Sequence, residues 1–320
     1  MSYAQGDLIE ASDYNNIIGA NTSVNPNTFH AVWAWGANSR GYGQTPISNV
    51  SVAGTVTATQ WATLINNINS ANLHIRNTSS GLTANTAGQL IGHSGGLPVA
   101  ITRLNQDRML FATNSAVVVN QNSLTGYSAW SVASTSVTQT RAFGATVTFT
   151  GADRARFFFN AGGRLKFNVS AVNNAGAASR SAAVVDLFTF LGGVALFGAN
   201  TNAGRTGTGG TLITNDITDG YYNATTGNTT IVSVTSTTSN YTTDTASITY
   251  TTNGSQGQFN DNGTVLSFYA VINSTSGGDS GGSFDDSINV TPTVTVDVSY
   301  PEVTNIANTW GAITVAQIGS

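Results

Sequence analysis

The chain has 320 residues, of which only 8% are charged and 40% hydrophobic, with a formal net charge of −4. Ordinary soluble domains carry about 25% charged residues and disordered chains lack apolar ones, so this composition excludes disorder and predicts a folded chain solvated mainly by Thr, Ser, Asn and Gly. Cysteine is absent, which excludes disulfides and thiolate metal sites, and the length predicts two domains.

Charge is divided along the chain. All ten Arg and Lys166 lie between Arg40 and Arg205, so the first 205 residues carry eleven basic and six acidic side chains, and the remainder sums to −9. Phosphate-binding surfaces need clustered Lys and Arg. The C-terminal third has none and the upstream Arg are scattered, so no nucleic-acid partner is expected. The opening residues lack a basic stretch followed by an apolar run, and no segment approaches about 18 consecutive apolar residues. Neither a signal peptide nor membrane insertion is expected.

In chain order, Ser12–Ile18 reads as a short helix with Ser12 as N-cap and Gly19 as stop. Trp33 and Trp35, two apart, would share one face of a strand, in a core or interface or as a sugar-stacking platform. Gly41 and Gly43 around Tyr42 permit a tight turn that presents the ring and the Gln44 amide. From about Thr59 a second helix places Trp61, Leu64, Ile65, Ile68, Ala71 and Ile75 on one face. Its Asn content weakens it in isolation, so packing within the chain or against a neighbour must hold it. Residues 79–96, rich in Ser, Gly, Thr and Asn, read as a loop or linker.

Beyond that linker the apolar runs shorten and read as strands. They are Ala116–Val119, Ala145–Thr150, Arg156–Phe159, Leu165–Ala171, Ala182–Phe190, Thr230–Val234, Ala246–Thr251, Val265–Ile272 and Val290–Tyr300. Asn253-Gly254 and Asn262-Gly263 are favoured hairpin turns, and Pro292 belongs at an edge or among a strand's first residues. The expected fold is mainly β, a C-terminal antiparallel β-sandwich of jelly-roll type with a small α+β N-terminal domain. Residues 1–80 would serve attachment or oligomerisation, 81–140 would be linker and connecting strands, and 141–320 the sandwich. With a single Lys to blunt strand edges, those edges are expected to be covered by copies of the same protein.

Two serine-hydrolase signatures occur. Gly92-His93-Ser94-Gly95-Gly96 matches a nucleophile elbow, but none of His30, His74 and His93 follows Ser94 as that order requires. Gly278-Asp279-Ser280-Gly281-Gly282 matches the serine motif of chymotrypsin-like proteases, where the histidine comes first. No histidine here has the Ala-Ala-His setting of that family, and Ser274–Ser283 is nearly all Ser and Gly, so both matches read as loops. No catalytic residue is assigned. Asp279, Asp285 and Asp286 lack the spacing of a calcium loop, and three dispersed histidines leave zinc unsupported. No metal or cofactor is expected. Asp285 and Asp286 are adjacent and would point to opposite faces of a strand, unlike the converging carboxylates of a glycan depolymerase.

Two stretches carry a resemblance. Arg40-Gly-Tyr-Gly-Gln-Thr-Pro, then Val50-Ser-Val-Ala-Gly, then Thr57-Ala-Thr-Gln-Trp-Ala-Thr-Leu with His74 beyond, resembles a module of virion proteins of tailed phages, notably those infecting cyanobacteria and marine bacteria. Arg156-Phe-Phe-Phe-Asn-Ala-Gly-Gly-Arg-Leu-Lys-Phe is similar to a Phe-Phe-Asn-x-Gly-Gly element of the same proteins. Gly6-Asp-Leu-Ile-Glu-Ala-Ser-Asp-Tyr-Asn resembles their opening, and Gly220-Tyr-Tyr a weaker downstream element. One departure is the absence of an acidic residue soon after Trp61. The resemblance implies a structural, non-enzymatic particle component, a tail or neck fibre, spike or collar subunit used in assembly and host attachment. Its expected partners are itself, as a homotrimer, other tail, neck or baseplate proteins, and a host surface glycan. Its expected location is the virion, after assembly in the host cytoplasm. Tyr42, Gln44, Trp61, Leu64 and Ile68 are the candidate assembly residues. The alternatives are a glycan-binding tailspike using aromatics such as Trp130 or Tyr221–Tyr222, a depolymerase, and a capsid-surface decoration protein.

Overall fold

The computed structural model describes residues 10–19, 28–35, 39–84, 86, 96–108, 117–124, 126–133, 137–176, 179–197, 202–275 and 287–319. Its N-terminal part is helical. Glu10 rather than Ser12 occupies the N-cap position of α1 (Ala11–Ile18), without a side-chain capping bond, and the Ser12 hydroxyl donates to the Glu10 carboxylate at 3.2 Å. Gly19 ends it in the left-handed region, where a residue without Cβ costs least. α2 (His30–Trp33) is a single turn, so Trp33 lies in a helix and Trp35 at its exit, and the expected shared strand face does not form.

α3 (Ala58–Arg76) buries Trp61, Leu64, Ile65, Ile68, Ala71 and Ile75, the face that the spacing predicts. Thr57 and Gln60 form a reciprocal capping box, with Gln60 N donating to Thr57 Oγ1 at 3.2 Å and Thr57 N to Gln60 Oε1 at 2.9 Å. The packing that this Asn-rich helix needs comes from its own chain, including the Tyr14 ring of α1, 6.4 Å from that of Trp61. α3 also packs on α4 (Gly96–Asp107), a helix inside the predicted linker region. Leu97, Ala100, Ile101 and Leu104 are its buried stripe at helical spacing, overlooked beside the Ser- and Gly-rich segment before it. Among the described residues of 10–108 there is no strand, so this part is helical rather than α+β.

The rest is mainly β. One antiparallel sheet orders β1 (Val117–Leu124), β11 (Ile288–Pro301), β4 (Arg164–Asn173), β5 (Gly193–Phe197) and β6 (Asn202–Arg205), with β2 (Trp130–Val132) also pairing with β11. The other orders β12 (Ile313–Gly319), β3 (Gln139–Phe149), β10 (Val265–Ser274), β9 (Thr245–Thr252), β8 (Thr229–Thr235) and β7 (Thr211–Asn215). Side chains of β10 and most of β11 alternate between buried and half-buried, as a sheet with one face on a core requires. Phe167 of β4 stacks on Phe268 of β10 at 5.5 Å and joins the sheets. Pro292 sits inside the sheet, yet β2 pairs with β11 only up to Val290 and β1 only from Val294. The proline therefore occupies a local gap in the ladder. Asn253-Gly254 and Asn262-Gly263 do not make two hairpins. Both belong to the single connection between β9 and β10, where Asn253 Oδ1 accepts from Thr264 N at 2.8 Å and Val265 N at 2.9 Å.

Two predicted strands are helices. Ala182–Phe190 falls within α6 (Arg180–Leu191), which lies between the sheets, against β4 and β11 on one side and β8, β9 and β10 on the other. A helix covered on both flanks is apolar nearly all round, and such a run has no period to separate it from a buried strand. Arg156–Phe159 falls within α5 (Ala152–Asn160), where Ala155 through Asn160 are all buried for the same reason. One continuous apolar core runs from Ala11 of α1 to Trp310 before β12.

Candidate assembly surface

The five nominated assembly residues are interior. Trp61, Leu64 and Ile68 form the packed face of α3, and Tyr42 and Gln44 are buried rather than presented on a turn. Gly41 (φ 102) and Gly43 (φ 68) do supply the positive φ angles, but they fold the segment inward, and a β-carbon on Gly43 would run into the Phe157 ring. Gln44 grips the backbone of Ala307: its Nε2 donates to Ala307 O at 2.9 Å, and Ala307 N donates to its Oε1 at 2.9 Å. Thr309 Oγ1 donates to Tyr42 O, and the Tyr42 hydroxyl donates to Arg108 O at 3.2 Å. Burial pushes the Tyr42 phenol far above its ordinary range.

The two stretches that carry the resemblance meet here. Asn160 Nδ2 donates to Gly41 O at 2.8 Å, and Arg156 Nη1 donates to Arg40 O. Arg156, fully enclosed, is balanced by Asp153 at 2.8 Å and lies over the Phe157 and Phe259 rings. Tyr222 reaches both elements, its hydroxyl donating to Asn160 Oδ1 and lying 3.2 Å from Ser39 O. His74 completes the joint from α3, with Nε2 3.0 Å from Ala161 O and its ring edge-on to Tyr42 at 5.6 Å. Burial lowers the His74 pKa to about 4, so the imidazole is neutral and Nε2 carries the proton shared with the carbonyl. His30 is likewise occupied: Ile47 N donates to its Nε2 at 2.9 Å, and burial lowers its pKa.

Of the aromatics proposed for sugar stacking, Trp33, Trp130 and Tyr221 are enclosed, and Trp35 and Tyr222 are half-buried. Trp130 and Tyr221 are buried, and Tyr221 stacks on Phe159 at 4.3 Å. Trp33 is buried and donates through Nε1 to Thr45 O at 3.1 Å. The core role of these rings displaces the platform role. His93, Ser94, Asp279, Ser280, Asp285 and Asp286 lie outside the described residues. The strand that leads into the second serine motif ends in a closed polar network. Ser274 Oγ accepts from Arg180 Nε at 2.9 Å and donates to Asp244 Oδ2 at 2.7 Å, and all three residues are fully buried. Among the described residues no group of three or more His, Cys, Asp or Glu is arranged to hold a metal ion.

Val52, Val99, Val137, Val172 and Val303 are exposed singly, while three exposed apolar residues group at the outer strand of the second sheet. Leu212 and Ile213 of β7 are 45% and 59% exposed, and Ile217 just beyond is 52% exposed. Successive strand residues face opposite sides, so exposure of Thr211, Leu212 and Ile213 together means that both faces of β7 are uncovered. A register shift against β8 between Leu212 and Thr214 leaves Ile213 without a cross-strand partner. From Thr206 to Asn215 there is no charged residue. Leu212 and Ile213 give only a weak strand signal because their run is short, although Gly209-Gly210 before it and Asp216 after it bracket a β-branched segment. At the opposite edge of the same sheet β12 is also uncharged and half-exposed along its length.

Compared with known protein families, curated proteins and solved structures, the chain has no match.

Proposed function

We propose that this chain is a non-enzymatic structural subunit of a tailed-phage virion, of the tail, neck or fibre class, working as a homo-oligomer with a trimer favoured. The observation that carries the homo-oligomeric part of this reading is the uncharged, doubly exposed strand β7. Natural sheet edges are ordinarily blunted by charge, Pro, bulges, shortness or a covering element. Strand β7 is short and carries a register shift, but it has no charge and its apolar residues stay open to another strand. Among the described residues the second sheet has six strands, all antiparallel, so its outer strands β7 and β12 run in opposite directions. Copies set side by side in one sense would place β7 of one against β12 of the next, and the antiparallel ladder would continue across the boundary. Such a contact is head-to-tail and closes into a ring when the rotation allows it. The virion part of the assignment is supported by the resemblance of the Arg40 and Arg156 stretches to virion proteins.

The test is the oligomeric mass and shape of the purified protein by light scattering and negative-stain microscopy. A stable trimer, elongated as a fibre or spike subunit should be, is the expected result. A monomer at every accessible concentration overturns the homo-oligomer.

A further inference from the structure

A second feature, independent of any assembly contact, lies between α3 and α4. A cleft of about 450 Å³ opens there, within the range of small-ligand sites. One wall is the segment Thr78–Leu82, which leaves α3 after its left-handed cap at Asn77. Asn69 holds this segment in place: its Oδ1 accepts from Ser79 Oγ at 3.0 Å, Ser80 N at 3.2 Å and Ser80 Oγ, and its Nδ2 donates to Leu82 O at 3.1 Å. The wall is thus organised before any ligand arrives, which lowers the ordering cost of binding.

The hydroxyl bookkeeping defines what this wall accepts. Ser79 Oγ spends its proton on Asn69 and takes one bond from Gly81 N, and Ser80 Oγ does the same with Asn69 and Leu82 N. Thr78 Oγ1 spends its proton on Arg76 O. A hydroxyl has one proton and two lone pairs, so each of these oxygens retains acceptor capacity and no donor. The complementary ligand groups are O–H or N–H donors. The cationic residue of the cleft is Arg103 of α4, which is exposed and in no ion pair among the described residues, whereas Arg76 is committed to Asp107. Between these polar parts Leu82 and Val99 offer a small apolar surface, Val99 being 52% exposed.

We propose that the α3–α4 cleft binds a small hydroxylated organic anion of the sugar-acid or hydroxy-acid class. The oxyanion pairs with Arg103, the hydroxyls donate to Thr78, Ser79 and Ser80, and the carbon skeleton covers Leu82 and Val99. The test is titration calorimetry of the full chain at fixed ionic strength with glucuronate, against glucose and propionate as probes of each half of the recognition. Glucuronate is expected to bind saturably and at least about tenfold more tightly than either, because a charge-assisted hydrogen bond is worth roughly that factor. Arg103→Gln is expected to weaken glucuronate by about tenfold with an unchanged melting temperature, since the residue is exposed. Val99→Asp, which adds a repelling carboxylate at a second exposed position, is expected to do the same. Absence of saturable binding up to concentrations on the order of 10 mM overturns the proposal. So does equal binding of glucose or propionate, or an Arg103→Gln variant that binds as the parent does.

Discussion

Neutral imidazole at the joint makes His74 the most consequential titratable residue of the N-terminal half. Its pKa of about 4 lies below the ordinary 6.5 because burial penalises the charged form, and the Ala161 hydrogen bond and the Glu302 charge offset this only in part. A histidine depressed in the folded state contributes stability fully above its unfolded pKa, and that contribution is lost as pH falls through the window from about 6.5 to about 4. His74→Gln keeps a donor for Ala161 O but does not titrate. Urea unfolding of the parent between pH 7 and pH 4 is therefore expected to lose up to about 3 kcal/mol more than that of the variant. Parallel pH profiles for the two proteins would show that His74 does not set this dependence. Other polar residues share this inward commitment: Gln44, Arg156 and Ser274 each serve backbone or buried charge, a use that no spacing in the sequence announces.

At the level of elements, β7 makes the sharpest claim. Ile213→Lys replaces an exposed side chain, so the subunit fold is expected to survive within about 0.5 kcal/mol, while charge on an edge strand opposes pairing. The expected outcome is a shift of the light-scattering mass toward monomer with the melting transition retained. An oligomer unaffected by the variant places its contact away from β7. The elements differ in how legible they were. α3 was readable because its apolar residues fall on one stripe and its other face is polar, and β10 and β11 because one face of each meets the core. α5 and α6 were misread as strands because they are covered on several sides, which erases the period that separates 3.6 from 2. α4 had a clear stripe in Leu97, Ala100, Ile101 and Leu104, but the Ser- and Gly-rich residues before it set the expectation of a linker.

Across the whole molecule, the N-terminal helices and the sheets share one core, and Gln44 binds Ala307 across 263 positions of sequence. The expected consequence is a single cooperative thermal transition rather than one each for an attachment region and a sandwich. Gln44→Ala removes both partners of the Ala307 peptide groups and is expected to cost about 2 kcal/mol while keeping that transition single. Two separated calorimetric peaks in either protein would mean that the halves unfold independently. The sandwich itself was legible from its alternating strands. The joint was not, because it depends on which distant residues converge: Arg40 with Gly41, His74, Asn160 and Tyr222 come from four separate places in the chain.

The grip of Gln44 on Ala307 has a consequence for biosynthesis. At translation speeds of roughly 5–20 residues per second, Gln44 leaves the ribosome some tens of seconds before its partner exists. The N-terminal helices must wait through that interval without their closing contact, exposed to chaperones and proteases. A product truncated ahead of Ala307 lacks the contact altogether, along with strand β12. The N-terminal region therefore gains this contact only once residue 307 has been made.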